Sequence, residues 1–191
     1  MFNTTSSDLQ DVFAQTFLPT PSTFLDIGCG NGRHGSNSFI LEQIGWTGIL
    51  VDHNKDLIEF NKTFRRQPCI CADVTTCDWK TILDKNVYDY ISFDVDGATI
   101  DAVKNFPWES VRFKIMTIEH DLYARGPEAR SLIRQTMNEN GYTMIAHDVC
   151  TNCSGEPFED WFVDPNYFSP HMIAKYFSMG KRAIDVLYNP K

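Results

Sequence analysis

The chain contains 191 residues, of which 42% are hydrophobic, and this length is sufficient to bury one sizeable core. Its 17 Lys and Arg residues stand against 25 Asp and Glu residues, which gives a formal net charge of -8 at pH 7. That acidic balance argues against nucleic acid as a partner, because a phosphate backbone is bound mainly through a surplus of cations. We therefore expect one domain, residues 1–191, that binds no nucleic acid.

The sequence carries no sign of a targeting or membrane segment. Its first residues lack the cationic region of a signal peptide, and no run of about 18 uncharged apolar residues occurs. These features predict a cytoplasmic protein that does not enter a membrane. The six cysteines are then expected to stay reduced, and the CxxC pair Cys150 and Cys153 lacks the second pair that a structural zinc site needs. The oligomeric state is open, and a homodimer is compatible with the sequence.

Residues 1–22 precede the first predicted strand. An apolar face through Val12, Phe13 and Phe17 predicts a flanking helix over residues 7–17. Apolar runs with β-branched or aromatic residues then recur along the chain and predict strands. The predicted strands span residues 23–27, 47–51, 69–72, 88–95, 114–119 and 142–149.

Segments of helical length and period lie between most of the predicted strands. Asn54 can cap one helix, and Gly126-Pro127-Glu128 begins another that ends at Asn140-Gly141. Nearly continuous hydrophobic strands that alternate with helices predict an α/β fold, with a mostly parallel, doubly wound sheet covered on both faces. Residues 23–149 form the expected core, and residues 150–191 add a C-terminal loop, a strand and a helix.

A glycine-rich turn follows the first predicted strand. Gly28, Gly30 and Gly32 allow a tight turn between strand and helix and let the backbone lie against a ligand. The spacing is GxGxG, and Arg33 stands where the dinucleotide pattern GxGxxG has its last glycine, so the turn is not typical of an NAD site. Cys29 lies inside the turn, where it can contact a ligand or serve as a small packing residue.

Acidic residues lie at or near the ends of the first three predicted strands. Asp26 precedes the glycines, and its carboxylate would repel a phosphate but attract an ammonium group. Asp52 can accept both hydroxyls of a ribose, and Asp73 can accept a hydrogen bond from an adenine amino group. Each of the latter two could instead be a helix cap. Together the acids predict a pocket for a cationic ligand that contains ribose and adenine.

The acid-containing strand, the GxGxG turn and the acid at the end of the next strand resemble those of class I S-adenosylmethionine-dependent methyltransferases. The resemblance covers about residues 23–149 and implies a Rossmann-like, seven-stranded sheet with S-adenosylmethionine as the cofactor. The positions that it implies as cofactor contacts are Asp26, Gly28, Cys29, Gly30, Gly32, Asp52, His53, Asp73 and Val74.

A narrower resemblance rests on the segments YDYISFDVDG, KIMTIEHD and DWFVDP. They are similar to the FkbM type of methyltransferase, which is associated with O-methylation of sugars and natural-product hydroxyls. This resemblance implies an O-methyltransferase that acts on a hydroxyl of a sugar or glycan. Two alternatives stay open: a methyltransferase of a small metabolite or protein side chain, and a non-catalytic module that binds S-adenosylmethionine.

Polar residues that could carry the chemistry lie where the fourth and fifth predicted strands end. Asp94 and Asp96 belong to the fourth, and Glu119 and His120 to the fifth; because these strands should be neighbours, the side chains should converge beside the transferred methyl group. This arrangement resembles that of macrocin-type sugar O-methyltransferases, which implies Asp94, Glu119 and His120 as ligands of Mg²⁺ or Mn²⁺ and Asp96 as the base. That group would have an aspartate in place of His120, so a metal-free reaction with His120 as general base is the alternative.

Overall fold

One sheet forms the centre of the molecule in the computed structural model, which describes residues 3–18 and 21–190 and, for Arg125, the backbone alone. The strands are β1 (Thr23–Ile27), β2 (Thr47–Asp52), β3 (Cys69–Cys71), β4 (Val87–Phe93), β5 (Arg112–Glu119), β6 (Thr143–Cys150), β7 (Pro157–Val163) and β8 (Ser178–Met179). Their order across the sheet is β3-β2-β1-β4-β5-β7-β6-β8. β1 to β5 pair in parallel, and β7 is antiparallel to both of its neighbours.

The α/β fold with a mostly parallel sheet is confirmed, but the number of strands is corrected from seven to eight within the described residues. The additional strand is β8, which pairs with β6 over only two residue pairs. A run this short carries no hydrophobic alternation, so the sequence pattern could not predict it.

Helices cover both faces of the sheet. They are α1 (Gln10–Phe17), α2 (Phe39–Gln43), α3 (Lys55–Asn61), α4 (Thr99–Asn105), α5 (Leu122–Arg125), α6 (Pro127–Glu139), α7 (Pro170–Tyr176) and α8 (Ala183–Tyr188). The predicted cap of α3 is confirmed, since Asn54 accepts hydrogen bonds from the backbone of Asp56 and Leu57. The flanking helix begins at Gln10 rather than at residue 7, because Leu9 has a left-handed backbone with φ of 65°.

Two hydrophobic cores lie on the two faces of the sheet, as the apolar strands predict. Successive residues of β1 enter different cores: Phe24 lies in the cluster that contains α1 and α8, and Leu25 in the one that contains α4 and α6. In the first cluster the ring of Phe13 stacks on that of Trp161, with centroids 4.6 Å apart. Full burial of each such side chain stabilises the fold by about 1.5–3 kcal/mol.

The strand order reverses between β1 and β4, so that β2 and β3 lie on one side and β4 and β5 continue on the other. Sheets of this kind bind ligands beyond the carboxyl ends of the strands at the reversal. The segments that follow β1, β2, β4 and β5 therefore define the place to look for a site. Of the helices in the described residues, none has the length and apolar character needed to cross a bilayer.

Candidate functional site

A cavity of about 710 Å³ lies at this edge of the sheet. Nine of the residues predicted from the sequence line it: Gly28, Gly30, Asp52, His53, Asp73, Val74, Asp94, Asp96 and Glu119. The remaining predicted site residues, Asp26, Cys29, Gly32 and His120, are absent from its lining. The cavity therefore joins the glycine turn to the ends of β4 and β5, and it separates the predicted residues into two groups.

The glycine turn brings the backbone against the end of β4. Gly28 has a φ of +81°, and a β-carbon there would lie 1.5 Å from the carbonyl oxygen of Asp94. Any side chain would thus both strain the turn and collide with a backbone atom. Two hydrogen bonds fix the turn to β2, from Gly28 N to the carbonyl of Val51 at 2.8 Å and from Gly30 N to Oδ2 of Asp52 at 3.0 Å.

The end of α3 and Arg65, which follows this helix, hold the same turn through side-chain hydrogen bonds. Asn61, which is fully buried, donates from Nδ2 to the carbonyl of Gly30 at 2.9 Å. Arg65 donates from Nη1 to the carbonyl of Gly32 at 2.8 Å. Gly32 and the buried Cys29 pack against Asn61, with Nδ2 of Asn61 3.5 Å from Sγ of Cys29. Gly32 and Cys29 therefore belong to the support of the turn and are absent from the cavity wall.

Asp52 and Asp73 line the part of the cavity that lies beyond the carboxyl ends of β2 and β3. Asp52 accepts hydrogen bonds from Gly30 N and, through Oδ1, from Asn54 N at 2.8 Å. Asp73 accepts from the hydroxyl and the backbone of Thr75, and these bonds hold its pKa below the ordinary value. Both carboxylates are thus held in place before any ligand arrives. His53, whose side chain is 85% exposed, lies 3.6 Å from Asp52.

Asp26 is turned away from the cavity, contrary to the expectation that it faces the ligand. It is 2% exposed and accepts a short hydrogen bond from the hydroxyl of Ser38. That hydroxyl in turn accepts from Arg65 Nη2 at 2.9 Å, and Arg65 pairs with the buried Glu42 at 2.7 Å. Burial raises the pKa of Asp26 to about 6, although the Ser38 hydrogen bond and Arg65 oppose the rise. The reason is positional: Asp26 lies within β1 and points to a face of the sheet, not to its edge.

Carboxyl groups from the ends of β4 and β5 meet in the cavity wall. Burial raises the pKa of both Asp94 and Glu119, and the neighbouring Asp94 and Asp121 raise that of Glu119 further. The side chains of Asp94 and Glu119 are hydrogen-bonded to each other, so the two carboxyl groups bind protons as a pair. Asp96 is exposed, with a left-handed φ of 49°. It is therefore the accessible carboxyl group at this end of the cavity.

His120 does not join that group, so the expected convergence of Asp94, Glu119 and His120 is corrected. His120 is 0% exposed; its Nδ1 accepts from Leu122 N at 3.2 Å, and its Nε2 lies 3.7 Å from carboxylate oxygens of Asp148 and Asp160. His120 is the first residue after β5, and its ring lies between the ends of β5, β6 and β7, where Asp148 and Asp160 surround Nε2. The sequence gives its position along the chain but not this burial.

The predicted metal ligands were tested against these positions, and they do not fit a divalent cation. Among the described residues, the His and acidic donor atoms close enough to share an ion are those of His120, Asp148 and Asp160. Arg134 already pairs with both carboxylates, at 2.9 and 2.7 Å. Because Nδ1 of His120 accepts a hydrogen bond, the proton of the neutral ring lies on Nε2, the atom that a metal would need.

The N-terminal segment and the loop after β6 complete the cavity. The residues that they and other unpredicted positions add to its wall include Ser7, Asp8, Gln10, Gly35, Asn37, Tyr123, Thr151 and Phe158. No sequence pattern marks Asp8 itself.

Comparison with known proteins assigns a family to more than half of the chain. Residues 2–117 match the family model described as Tellurite resistance protein TehB. This range includes the glycine turn and the acids at the ends of β2 and β4. Comparison with curated protein sequences gave no match. The FkbM resemblance finds no support here, since the family that matches is a different one.

Solved structures share the fold at low sequence identity. One is a TehB-like SAM-dependent methyltransferase from Corynebacterium glutamicum, with 15% identity, a TM-score of 0.55, and coverage of 85% of this chain and 89% of that one. Another, from Clostridium thermocellum, is provisionally named an rRNA methylase; it has 14% identity, a TM-score of 0.56, and coverage of 85% and 97%. A third is magnesium protoporphyrin IX methyltransferase from Synechocystis PCC 6803 with bound SAM, at 16% identity, a TM-score of 0.54, and coverage of 82% and 76%.

Proposed function

The chain belongs to the TehB family of class I S-adenosylmethionine-dependent methyltransferases, and on that premise we propose that it transfers the methyl group to a hydroxyl of an uncharged, sugar-like acceptor. The observation that carries the proposal is one continuous cavity of about 710 Å³ at the edge of the sheet. It runs from the glycine turn and Asp52 at one end to Asp94, Asp96 and Glu119 at the other. The end beside the glycine turn, which we assign to the cofactor, and the end beside Asp94, Asp96 and Glu119, which we call the reaction end, are thus parts of one cavity.

The cofactor occupies the first end in this proposal. Asp52 accepts the ribose hydroxyls, and Asp73 with Val74 contacts the adenine. Gly30 leaves room for the methionine portion, because the position that its β-carbon would take has no atom within 4 Å. Asp26, Cys29 and Gly32 act indirectly, since they are absent from the cavity wall. The negative lining favours the positive sulfonium centre.

The reaction is an in-line displacement in which the acceptor oxygen attacks the methyl carbon and S-adenosylhomocysteine leaves. The hydroxyl proton passes to a base as the carbon–oxygen bond forms. Asp96 is the base in this proposal, because it lines the cavity and is exposed, whereas Glu119 is hydrogen-bonded to Asp94 and its pKa is raised. His120 is not assigned to this step, since its ring is fully buried away from the cavity.

The acceptor class is supported by what surrounds the reaction end. Tyr123 and Phe158 offer aromatic surfaces, and Gln10, Asn37 and Thr151 offer neutral polar groups. Aromatic faces beside neutral hydrogen-bonding groups suit a sugar ring. No Lys or Arg lines the cavity in the described part of the chain, which favours an acceptor other than nucleic acid. The similar structures are named for acceptors as different as rRNA and a porphyrin, so they do not select one.

Binding and turnover assays test the proposal in sequence. Calorimetry should show S-adenosylhomocysteine binding and no binding of NAD. Transfer of a labelled methyl group from S-adenosylmethionine to a set of mono- and oligosaccharides should follow, at the same rate with and without EDTA. Binding without transfer to any acceptor class would favour a non-catalytic module, and transfer to amines or protein side chains alone would overturn the hydroxyl assignment.

A further inference from the structure

The N-terminal segment forms the roof of the reaction end of the cavity. Asp11, which is fully buried, accepts hydrogen bonds from Thr4 Oγ1, Thr5 N and Ser6 Oγ, each at 2.7 Å. Ser6 also bridges to Gly35, in the loop that follows the glycine turn. These contacts fix the segment across the opening, and they bring Ser7, Asp8 and Gln10 into the cavity wall.

Asp8 occupies an unusual position in this roof. It is 8% exposed, and its Oδ1 accepts a hydrogen bond from the backbone N–H of Asn152, which lies in the loop between β6 and β7. Its own N–H donates to Gln10, whose amide reaches Glu159 Oε2 at 3.4 Å. Within the described residues, Oδ2 of Asp8 accepts no hydrogen bond and belongs to a residue that lines the cavity. One carboxylate oxygen is thus used to close the roof, and the other is available to a ligand.

Acidic side chains share the cavity with Asp8. Asp52, Asp94 and Asp96 also line it, and no Lys or Arg side chain does so in the part of the chain that the structure describes. A buried carboxylate without a cationic partner is costly unless hydrogen-bond donors satisfy it. An acceptor that donates hydrogen bonds supplies what is missing, whereas an anionic acceptor adds repulsion.

We propose that Asp8 is the specificity-determining residue for the acceptor: it binds a hydroxyl of the acceptor through Oδ2 and excludes acceptors that carry a negative charge. This inference rests on the proposed function, because it concerns the same cavity. It assigns a role to Asp8, which is not among the site residues predicted from the sequence.

The test compares acceptors of matched shape and different charge. Methyl glucoside, glucosamine, glucuronate and glucose 6-phosphate serve as probes with wild type, Asp8→Asn and Asp8→Ser. We expect the wild-type kcat/KM for the neutral and cationic probes to exceed that for the anionic probes by at least about ten-fold. Both variants should show a smaller preference than wild type, because one of the acidic groups is gone, and S-adenosylhomocysteine should bind to them as it does to wild type. Asp101→Asn, an exposed aspartate of α4, is the matched control and should keep the preference.

Three outcomes would overturn the assignment of Asp8. They are an equal wild-type rate on neutral and anionic probes, variants that retain the wild-type preference, and variants that lose cofactor affinity as much as acceptor turnover. Failure of wild type to methylate any probe while it binds S-adenosylhomocysteine would refute the acceptor class. Failure to bind S-adenosylhomocysteine would instead refute the proposed function, so the two levels are distinguishable.

Discussion

The Nδ2 of Asn61 donates to the carbonyl oxygen of Gly30 at 2.9 Å, which ties the cofactor turn to the end of α3. Asn61 is not among the residues that line the cavity, so its effect on a ligand acts through the turn that it holds. A residue of this kind sets the position of the backbone that meets the cofactor.

Asn61→Ala should weaken cofactor binding by releasing that carbonyl. We expect the Kd for S-adenosylhomocysteine to rise by about ten-fold, which corresponds to about 1.4 kcal/mol, while the KM of the acceptor stays unchanged. Calorimetry measures the first and steady-state kinetics the second. Lys55→Ala, at an exposed position of the same helix, should bind as wild type does. An equal loss of acceptor and cofactor affinity would contradict a role confined to the turn.

Gly28→Ala should abolish cofactor binding. The added β-carbon would lie 1.5 Å from the Asp94 carbonyl oxygen, so the turn or β4 has to move. Gly45→Ala is the matched control, because Gly45 also has a positive φ, +97°, but its β-carbon would meet nothing within 4 Å. The free energy of unfolding of the control should fall only by the cost of a left-handed backbone at a residue with a β-carbon, about 1–2 kcal/mol. Urea unfolding and S-adenosylhomocysteine titration of both variants separate collision from backbone strain, and equal losses would refute the steric explanation.

Asp26→Asn should change how stability depends on pH. The folded pKa of Asp26 is about 6, above its ordinary value, so the folded protein holds this proton more tightly than the unfolded chain. The wild-type free energy of unfolding therefore falls, through this group, as the pH rises from about 4 to about 6. Asn keeps an acceptor for Ser38 and carries no charge, so the variant should gain up to about 3 kcal/mol relative to wild type over that interval.

Urea unfolding of wild type and Asp26→Asn in steps between pH 4 and pH 7 measures this difference. If the free energies of unfolding of the two proteins differed by the same amount at every pH, folding would not raise the pKa of Asp26, and the prediction would be wrong. Asp101→Asn controls for the general loss of one negative charge, and its difference from wild type should not change over the same range.

Asp96→Asn and His120→Asn should affect different properties. Asn tolerates the left-handed backbone of residue 96, so the first variant should fold normally, bind S-adenosylhomocysteine as wild type does, and lose about 10²–10⁴-fold in kcat. His120 instead packs in the buried network with Asp148 and Asp160, so its replacement should lower the free energy of unfolding by about 1–3 kcal/mol. A normal kcat for Asp96→Asn, or a stable but inactive His120→Asn, would reverse the two assignments.

The sequence was sufficient for the features that depend on local chemistry. Apolar runs predicted six of the strands, and Asn54 predicted the start of α3. The glycine turn and the acids after β2 and β4 predicted the location of the cavity, because parallel strands end at one edge.

The direction of side chains and the contacts between distant residues were harder to predict from the sequence. Asp26 and His120 have the right residue types near the right strand ends, but their side chains are buried and absent from the cavity wall. Asp8 enters the cavity only because the N-terminal segment crosses to the loop after β6, and no local pattern encodes such a contact.

The hydrogen bond between Asp8 and Asn152 joins residues 144 positions apart. Contacts of such separation form late, because the intervening chain must first be arranged. During synthesis the cofactor turn and its neighbouring strands emerge well before Asn152 does. The roof can therefore close only after Asn152 has also emerged, and the cavity of a ribosome-bound intermediate that ends before this residue is still open beside Asp8.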